Sequence, residues 1–262
     1  MKTLRSFIGC TSFLIATTMP VAFGQEKFGY AGETGSQYWD TLNSAWKTCR
    51  EGKTQSPIVI LTSDAKAGES TPLLFNYGTV VVQATNTGNS VQANVQSGVP
   101  TLTVGARVFN LQQFHFHTPS EHWVNGDNRP MEMHMVHKDS IDGSLAVVSV
   151  LLSLGATNAE MDKIWSAGLP PKEGDTTGGF NIDLSKLLPE QLQSFRYFGS
   201  LTTPPCSEQV RWFVLTEGME ISQSQLLAYQ TIFSGKSFPD GNARPVRLSN
   251  QRSVTVSIPQ WK

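Results

Sequence analysis

Between frequent glycines and prolines the chain carries short apolar and β-branched runs: Val80-Val81-Val82, Thr101-Leu102-Thr103-Val104 and Leu145 to Leu152. Residues 101–104 and 253–258 alternate in the manner of strands with one buried face. Val147 to Leu152 is apolar apart from Ser149, as expected of a strand covered on both sides. Helical patterns are few. Asn158 is placed to cap a helix running to Trp165. Ser222 to Phe233 is the stronger case, with Ser222 as cap, Gln225 three residues on, and Leu226, Leu227 and Ile232 apolar. No linker, repeat or low-complexity stretch divides the sequence. These patterns predict a single, mainly β domain with a few short peripheral helices.

Period-two reading also organises the polar positions. In Gln113-Phe114-His115-Phe116-His117, residues 113, 115 and 117 share one face of a strand, and the two phenylalanines point into a core. In Met131-Glu132-Met133-His134-Met135-Val136-His137, His134 shares its face with Glu132 and Val136. A neighbouring strand would set His134 beside His115 and His117. The chain has five histidines, all between 115 and 137. His137 is out of phase with His134 and should face the core; His122 and His137 are read as structural.

Three neutral imidazoles leave one tetrahedral position open, the layout of a catalytic zinc site. The donor set also suits copper or iron. Metal-bound histidines usually donate their second N–H to an oxygen. Gln113 and Glu132, each two residues before a candidate ligand, are placed to accept from His115 and His134.

Charge adds an exclusion. The formal net charge is −1 over 262 residues, which gives no electrostatic case for nucleic acid or an anionic membrane surface as partner. At the N-terminus Lys2 and Arg5 precede an apolar stretch from Phe7 to Met19, and Ala22-Phe23-Gly24 fits a cleavage rule with cutting before Gln25. Residues 1–24 are therefore expected to be a signal peptide and 25–262 the catalytic domain, with no membrane anchor once the signal is removed. Too little apolar sequence precedes Cys10 for it to be a lipidation site. Export favours the periplasm, otherwise the extracellular space. It leaves Cys49 and Cys206 under oxidising conditions. An even pair reads as one disulfide worth about 4–5 kcal/mol in the chain-entropy model; two buried free thiols are the alternative.

Several ordered motifs resemble the alpha class of carbonic anhydrases. They are Gln55-Ser56-Pro57-Ile58, Gln113 to His117, Ser120-Glu121-His122, Glu132 to His137, Tyr197 to Cys206 and Asn242-Ala243-Arg244-Pro245, together spanning about residues 28 to 260. The resemblance implies a twisted, mostly antiparallel sheet of about ten strands with a conical zinc cleft. It implies reversible hydration of carbon dioxide to bicarbonate and a proton by zinc-bound hydroxide. His115, His117 and His134 would bind Zn2+, oriented by Gln113, the Asn242 carbonyl and Glu132. Thr202 would accept from the hydroxide and donate to Glu121, and Thr203 would help position bicarbonate. Val136, Val147, Leu201, Val210 and Trp212 would form the apolar wall for carbon dioxide. Cys49 and Cys206 match a disulfide of many secreted members.

One departure matters. Fast members of the family place a proton-shuttling histidine at the cleft rim, and Asn89 stands at that position here. Asn does not titrate near neutrality, whereas His does. Tyr30, Thr87 and Gln92 stand at the positions that order the water chain, and Thr87 and Gln92 differ from the residues often found there. Proton export is therefore expected to depend on external buffer. Two other functions fit the residues less well. A cupin-type oxygenase would use His115, His117 and Glu121, but its second motif is absent. A non-catalytic zinc-binding or zinc-scavenging module has no use for Thr202 and Glu121. Monomer and homodimer fit the sequence equally.

Overall fold

The computed structural model describes residues 27–68 and 71–262; the signal-peptide expectation and Cys10 lie outside them. The seven strands that matter for the site are β1 (Thr79–Asn86), β2 (Val91–Val95), β3 (Arg107–His117), β4 (Met131–Asp139), β5 (Leu145–Leu154), β6 (Ser194–Ser200) and β7 (Glu208–Leu215). They form the middle of one large sheet whose main path has ten strands. Its order is Phe180–Asp183, β1, β2, β3, β4, β5, β7, β6, Thr255–Val256, Lys66–Ala67. Neighbours on this path are antiparallel except β5 with β7 and the last pair, which are parallel. A sheet of this size and mostly antiparallel sense is what the motifs implied.

Pattern explains most of these strands. In β3, Phe114 and Phe116 are fully buried in the main apolar cluster with Met133, Met135, Val148 and Val150. Strand β5 is buried from Ala146 to Leu152, covered on both faces as its composition predicts. The alternating run 253–258 is an exception. Only Thr255–Val256 forms ladder pairs, with β6 on one side and Lys66–Ala67 on the other.

The two anticipated helices are present. In α1 (Ala159–Ser166) the Asn158 side chain accepts from the amides of Glu160 and Met161. In α2 (Gln223–Ile232) Ser222 and Gln225 form a reciprocal capping box. Gln225 also exchanges two hydrogen bonds with the Asn158 backbone, which ties the two helix starts together. From α2 the Tyr229 hydroxyl donates to the Phe116 carbonyl at 2.7 Å, bracing β3 from behind between its last two histidines. Sequence pattern did not foresee the short turns of helix at Trp39–Leu42 and Thr48–Glu51. These are single turns held by tertiary contacts, chiefly the buried Trp39 and the Cys49–Cys206 disulfide.

Candidate metal centre

Register brings the histidines together. Across the β3–β4 ladder His134 sits opposite His115, and Glu132 sits opposite His117. All three rings therefore emerge on one face, and one nitrogen of each lies within 4.8 Å of the other two. The remaining ring nitrogens are engaged. His115 Nδ1 contacts Gln113 Oε1 at 2.8 Å, His117 Nδ1 donates to the Asn242 carbonyl at 2.8 Å, and His134 Nε2 contacts Glu132 Oε1 at 2.7 Å. These are the partners anticipated for each ring. They leave His115 Nε2, His117 Nε2 and His134 Nδ1 as the available atoms. His117 Nε2 is buried and has no hydrogen-bond partner. A buried imidazole nitrogen without a partner is costly in an apo-protein core, and a cation would satisfy it. Burial lowers the pKa of all three imidazoles, so they are neutral and free to ligate.

A second cluster, His122, Glu132 and His134, is also compact enough for a metal. Its atoms are spent on one another instead. Glu132 Oε1 accepts from His122, His134 and Ser149, and Oε2 accepts from the amides of Glu121 and His122 at 2.8 Å each. Burial alone would push the Glu132 carboxyl up. The adjacent His122 and His134 outweigh it and hold the group well below the usual carboxylate range. His122 is thus structural, as read from sequence. His137 is too: it leaves the site at a bulge after Val136, stacks on Tyr77 and is hydrogen-bonded to its hydroxyl.

Asn242 does more than offer a carbonyl. Its side chain accepts from the Thr118 amide at 2.8 Å and donates to the carbonyls of Asn89 and Phe116 at 2.8 and 3.1 Å. The chain reaches it through Gly241 at φ +85°, where a Cβ would fall 1.8 Å from the Thr118 carbonyl.

The three rings lie in a cleft of about 420 Å³ with two unlike walls. Val136, Leu145, Val147, Leu201 and Trp212 form one; Tyr30, Thr87, Asn89, Ser90, Gln92 and Gln113 are on the other. Thr202 and Thr203 also line it. Val210 is not on the lining: it is buried in the apolar cluster that also contains Val147 and Trp212. Leu145, not among the wall residues anticipated from sequence, also lines the cleft; it lies two residues before Val147 on β5 and so shares its face. Phe28, also on the lining, has no local signal.

Glu121 is buried behind the histidines. Its Oε1 accepts from the Arg244 amide at 2.8 Å. Burial raises its pKa to about 7, and the Thr202 hydroxyl lies near enough to draw it down somewhat. Oε2 nevertheless makes no hydrogen bond of normal geometry. Cys49 and Cys206 are bonded, and the Cys206 amide donates to the Thr203 carbonyl at 2.9 Å, so the disulfide closes the loop that carries both threonines.

Comparison with known proteins agrees with this geometry. Residues 34–258 match the family model of eukaryotic-type carbonic anhydrases. A carbonic anhydrase of Nostoc sp. is 37% identical over 98% of this chain and 96% of its own length. One from Klebsiella pneumoniae is 38% identical over 96% and 99%. The alpha-carbonic anhydrase of Thermovibrio ammonificans, solved with the inhibitor sulfanilamide, superposes with a TM-score of 0.83 at 38% identity, covering 88% of this chain and all of that one. With the cleft and its histidines in place, these matches settle the assignment: the chain belongs to the eukaryotic-type, or alpha, carbonic anhydrase family, enzymes that hydrate carbon dioxide.

Proposed function

We propose that His115, His117 and His134 hold one zinc ion, and that this centre interconverts carbon dioxide and bicarbonate with a proton export that depends on buffer. The observation that carries the proposal is the buried, partnerless His117 Nε2 facing two further imidazoles whose other nitrogens are already bonded. Three neutral nitrogen donors with one open side fit zinc. Bound zinc supplies the Lewis acidity that makes a water acidic near neutral pH, an effect for which carbonic anhydrases are themselves the reference example.

The chain's own residues account for the rest. Gln113, the Asn242 carbonyl and Glu132 fix each ring's orientation. Thr202 has one hydroxyl proton. If Glu121 accepts it as a carboxylate, the Thr202 oxygen is left to accept, and only a ligand with a proton to give is held there. Burial opposes ionisation of Glu121, while a cation held by the three histidines would favour it. Val136, Val147, Leu201 and Trp212 offer an apolar surface to an apolar, linear substrate, and a charged product gains nothing from it. Val210 backs that wall. Thr203, on the lining of the cleft, would hydrogen-bond the product.

The product proton must leave across the polar wall. Asn89 cannot take it up near neutrality, and the five histidines lie in or behind the site. Tyr30, Thr87 and Gln92 line the route. We further assign residues 1–24 to a signal peptide and 25–262 to the exported catalytic domain, most simply periplasmic; the disulfide supports an oxidising destination. Stopped-flow carbon dioxide hydration by the zinc-loaded protein across buffer concentrations tests both halves. Turnover rising steeply with buffer is expected. No hydration at any buffer concentration would refute the activity, and buffer-independent turnover would refute the export argument alone.

A further inference from the structure

We propose that Tyr197 is a positioning residue for the metal centre: its hydroxyl anchors His122 at Nε2 and, through that ring, the hold of Glu132 on His134. The proposal rests on the reading of His134 as a zinc ligand. It arises from two motifs that the reaction leaves unused, Gln55-Ser56-Pro57 and Tyr197 to Ser200. A continuous buried chain of hydrogen bonds joins them to the metal site. The Ser200 amide meets Ser56 Oγ at 3.1 Å, Ser56 Oγ meets the Tyr197 hydroxyl at 2.9 Å, and that hydroxyl meets His122 Nε2 at 2.7 Å. His122 Nδ1 then meets Glu132 Oε1 at 2.7 Å, and the same oxygen meets His134 Nε2 at 2.7 Å.

The chain has a direction, and both ends set it. At one end a backbone N–H can only donate, so Ser56 Oγ accepts from Ser200. The Ser56 proton then has the Tyr197 oxygen to go to, and the Tyr197 proton has His122 Nε2. At the other end Glu132 already takes amide hydrogen bonds from residues 121 and 122 and a hydroxyl from Ser149, which marks it as an acceptor. His122 must meet it with Nδ1–H. Reversal would leave the Ser56 proton without an acceptor and turn a ring lone pair on a carboxylate. Tyr197 thus donates to the Nε2 lone pair that this tautomer presents, and so holds the His122 ring with its Nδ1–H on Glu132.

Packing holds the tyrosine in this role. Its ring stacks on Trp212 at 6.2 Å and 9°, and the Arg252 guanidinium lies 5.5 Å from its centroid. Gly199 makes room for Ser56: a Cβ there would fall 2.1 Å from Ser56 Oγ. The Ser56 amide also donates to Ser200 Oγ at 2.9 Å, so the two serines clasp one another beside the loop that carries Thr202. Neither serine nor Tyr197 is on the lining of the cleft, so the hydrogen bonds of Tyr197 reach the candidate ligand His134 through His122 and Glu132.

The test compares wild type with Tyr197→Phe and Ser56→Ala. Imidazole nitrogen–proton NMR reads the His122 tautomer, and transfer of zinc to a chelator reads the hold on the metal. In wild type the proposal requires the proton on Nδ1; a proton on Nε2 overturns it without any variant. Tyr197→Phe keeps the ring and removes one hydroxyl. It should leave the proton on Nδ1, which Glu132 still requires, but free the His122 ring, shifting its Nδ1–H resonance and speeding zinc release about 10-fold, the lower end for loss of a group that orients a metal ligand. Ser56→Ala keeps the Tyr197 donor and should leave that resonance and the release rate near wild type. An unchanged Nδ1–H resonance and release rate in Tyr197→Phe overturns the proposal, as does an effect in Ser56→Ala as large as that in Tyr197→Phe. A wild-type protein that takes up no zinc would instead refute the metal-centre reading, and the NMR measurement, which needs no metal, still decides the step from Tyr197 to His122.

Discussion

His137 is the histidine that phase alone assigns to the core, and replacing it removes a pH-dependent cost of burial. The ring is fully buried, stacks on Tyr77 at an interplanar angle of 9°, and its Nδ1 makes no hydrogen bond of normal geometry. Burial lowers its pKa from 6.5 to about 4, against an upward pull from the nearby backbone of Ala146 and Met135. The folded value is below the unfolded one, so as pH falls the unfolded chain takes the proton first. Stability from this group is intact well above pH 6.5, is lost mostly as pH falls from there toward 4, and levels off below 4. Linkage puts the loss at about 2 kcal/mol at pH 5 and about 3 kcal/mol at pH 4. The variant is His137→Phe combined with Tyr77→Phe, so that no hydroxyl is left buried without its partner. Urea unfolding of both proteins at pH 7 and pH 5 gives the difference in stability at each pH. The metal-site histidines titrate in both proteins, so their contribution cancels. Wild type should lose about 2 kcal/mol more than the variant on going to pH 5. A difference that does not move with pH would refute the argument that His137 is held neutral by burial.

Three further outcomes are expected. Asn89→His should raise turnover mainly at low buffer and leave the buffer-saturated rate nearly unchanged, read by stopped flow; an equal gain at all buffer concentrations would contradict the export argument. The double variant Cys49→Ser and Cys206→Ser opens a loop closed over 157 residues and should lose up to about 5 kcal/mol of stability in chemical denaturation, with a loss under about 1 kcal/mol counting against it. His117→Ala removes the buried partnerless donor and should cut bound zinc, measured by elemental analysis after dialysis, to well below one per chain, while His122→Gln should keep near-stoichiometric metal.

Much of the site is written locally. Alternation in 113–117 and 131–137 puts His115, His117 and His134 with Gln113 and Glu132 on matching faces and sends His137 away, because successive strand side chains point to opposite sides. Asn158 and Ser222 announce their helices because a cap is a contact within four residues. The short run 253–258 misleads for the converse reason: a strand exists only where a neighbour pairs with it, and only Thr255–Val256 has one.

The sequence by itself determined which residues could share a face, that the chain is mainly β, and, through its ordered motifs, the family. Tertiary structure alone decided what those faces meet. The register of β3 on β4 sets His134 opposite His115. The return of the chain at Gly241 brings the Asn242 carbonyl to His117, 125 residues away. The clasp of Ser56 with Ser200 links Tyr197 and His122 to a metal ligand across 144 residues of separation. Such contacts leave no periodic trace, because periodicity records which way a side chain points and not what arrives to meet it.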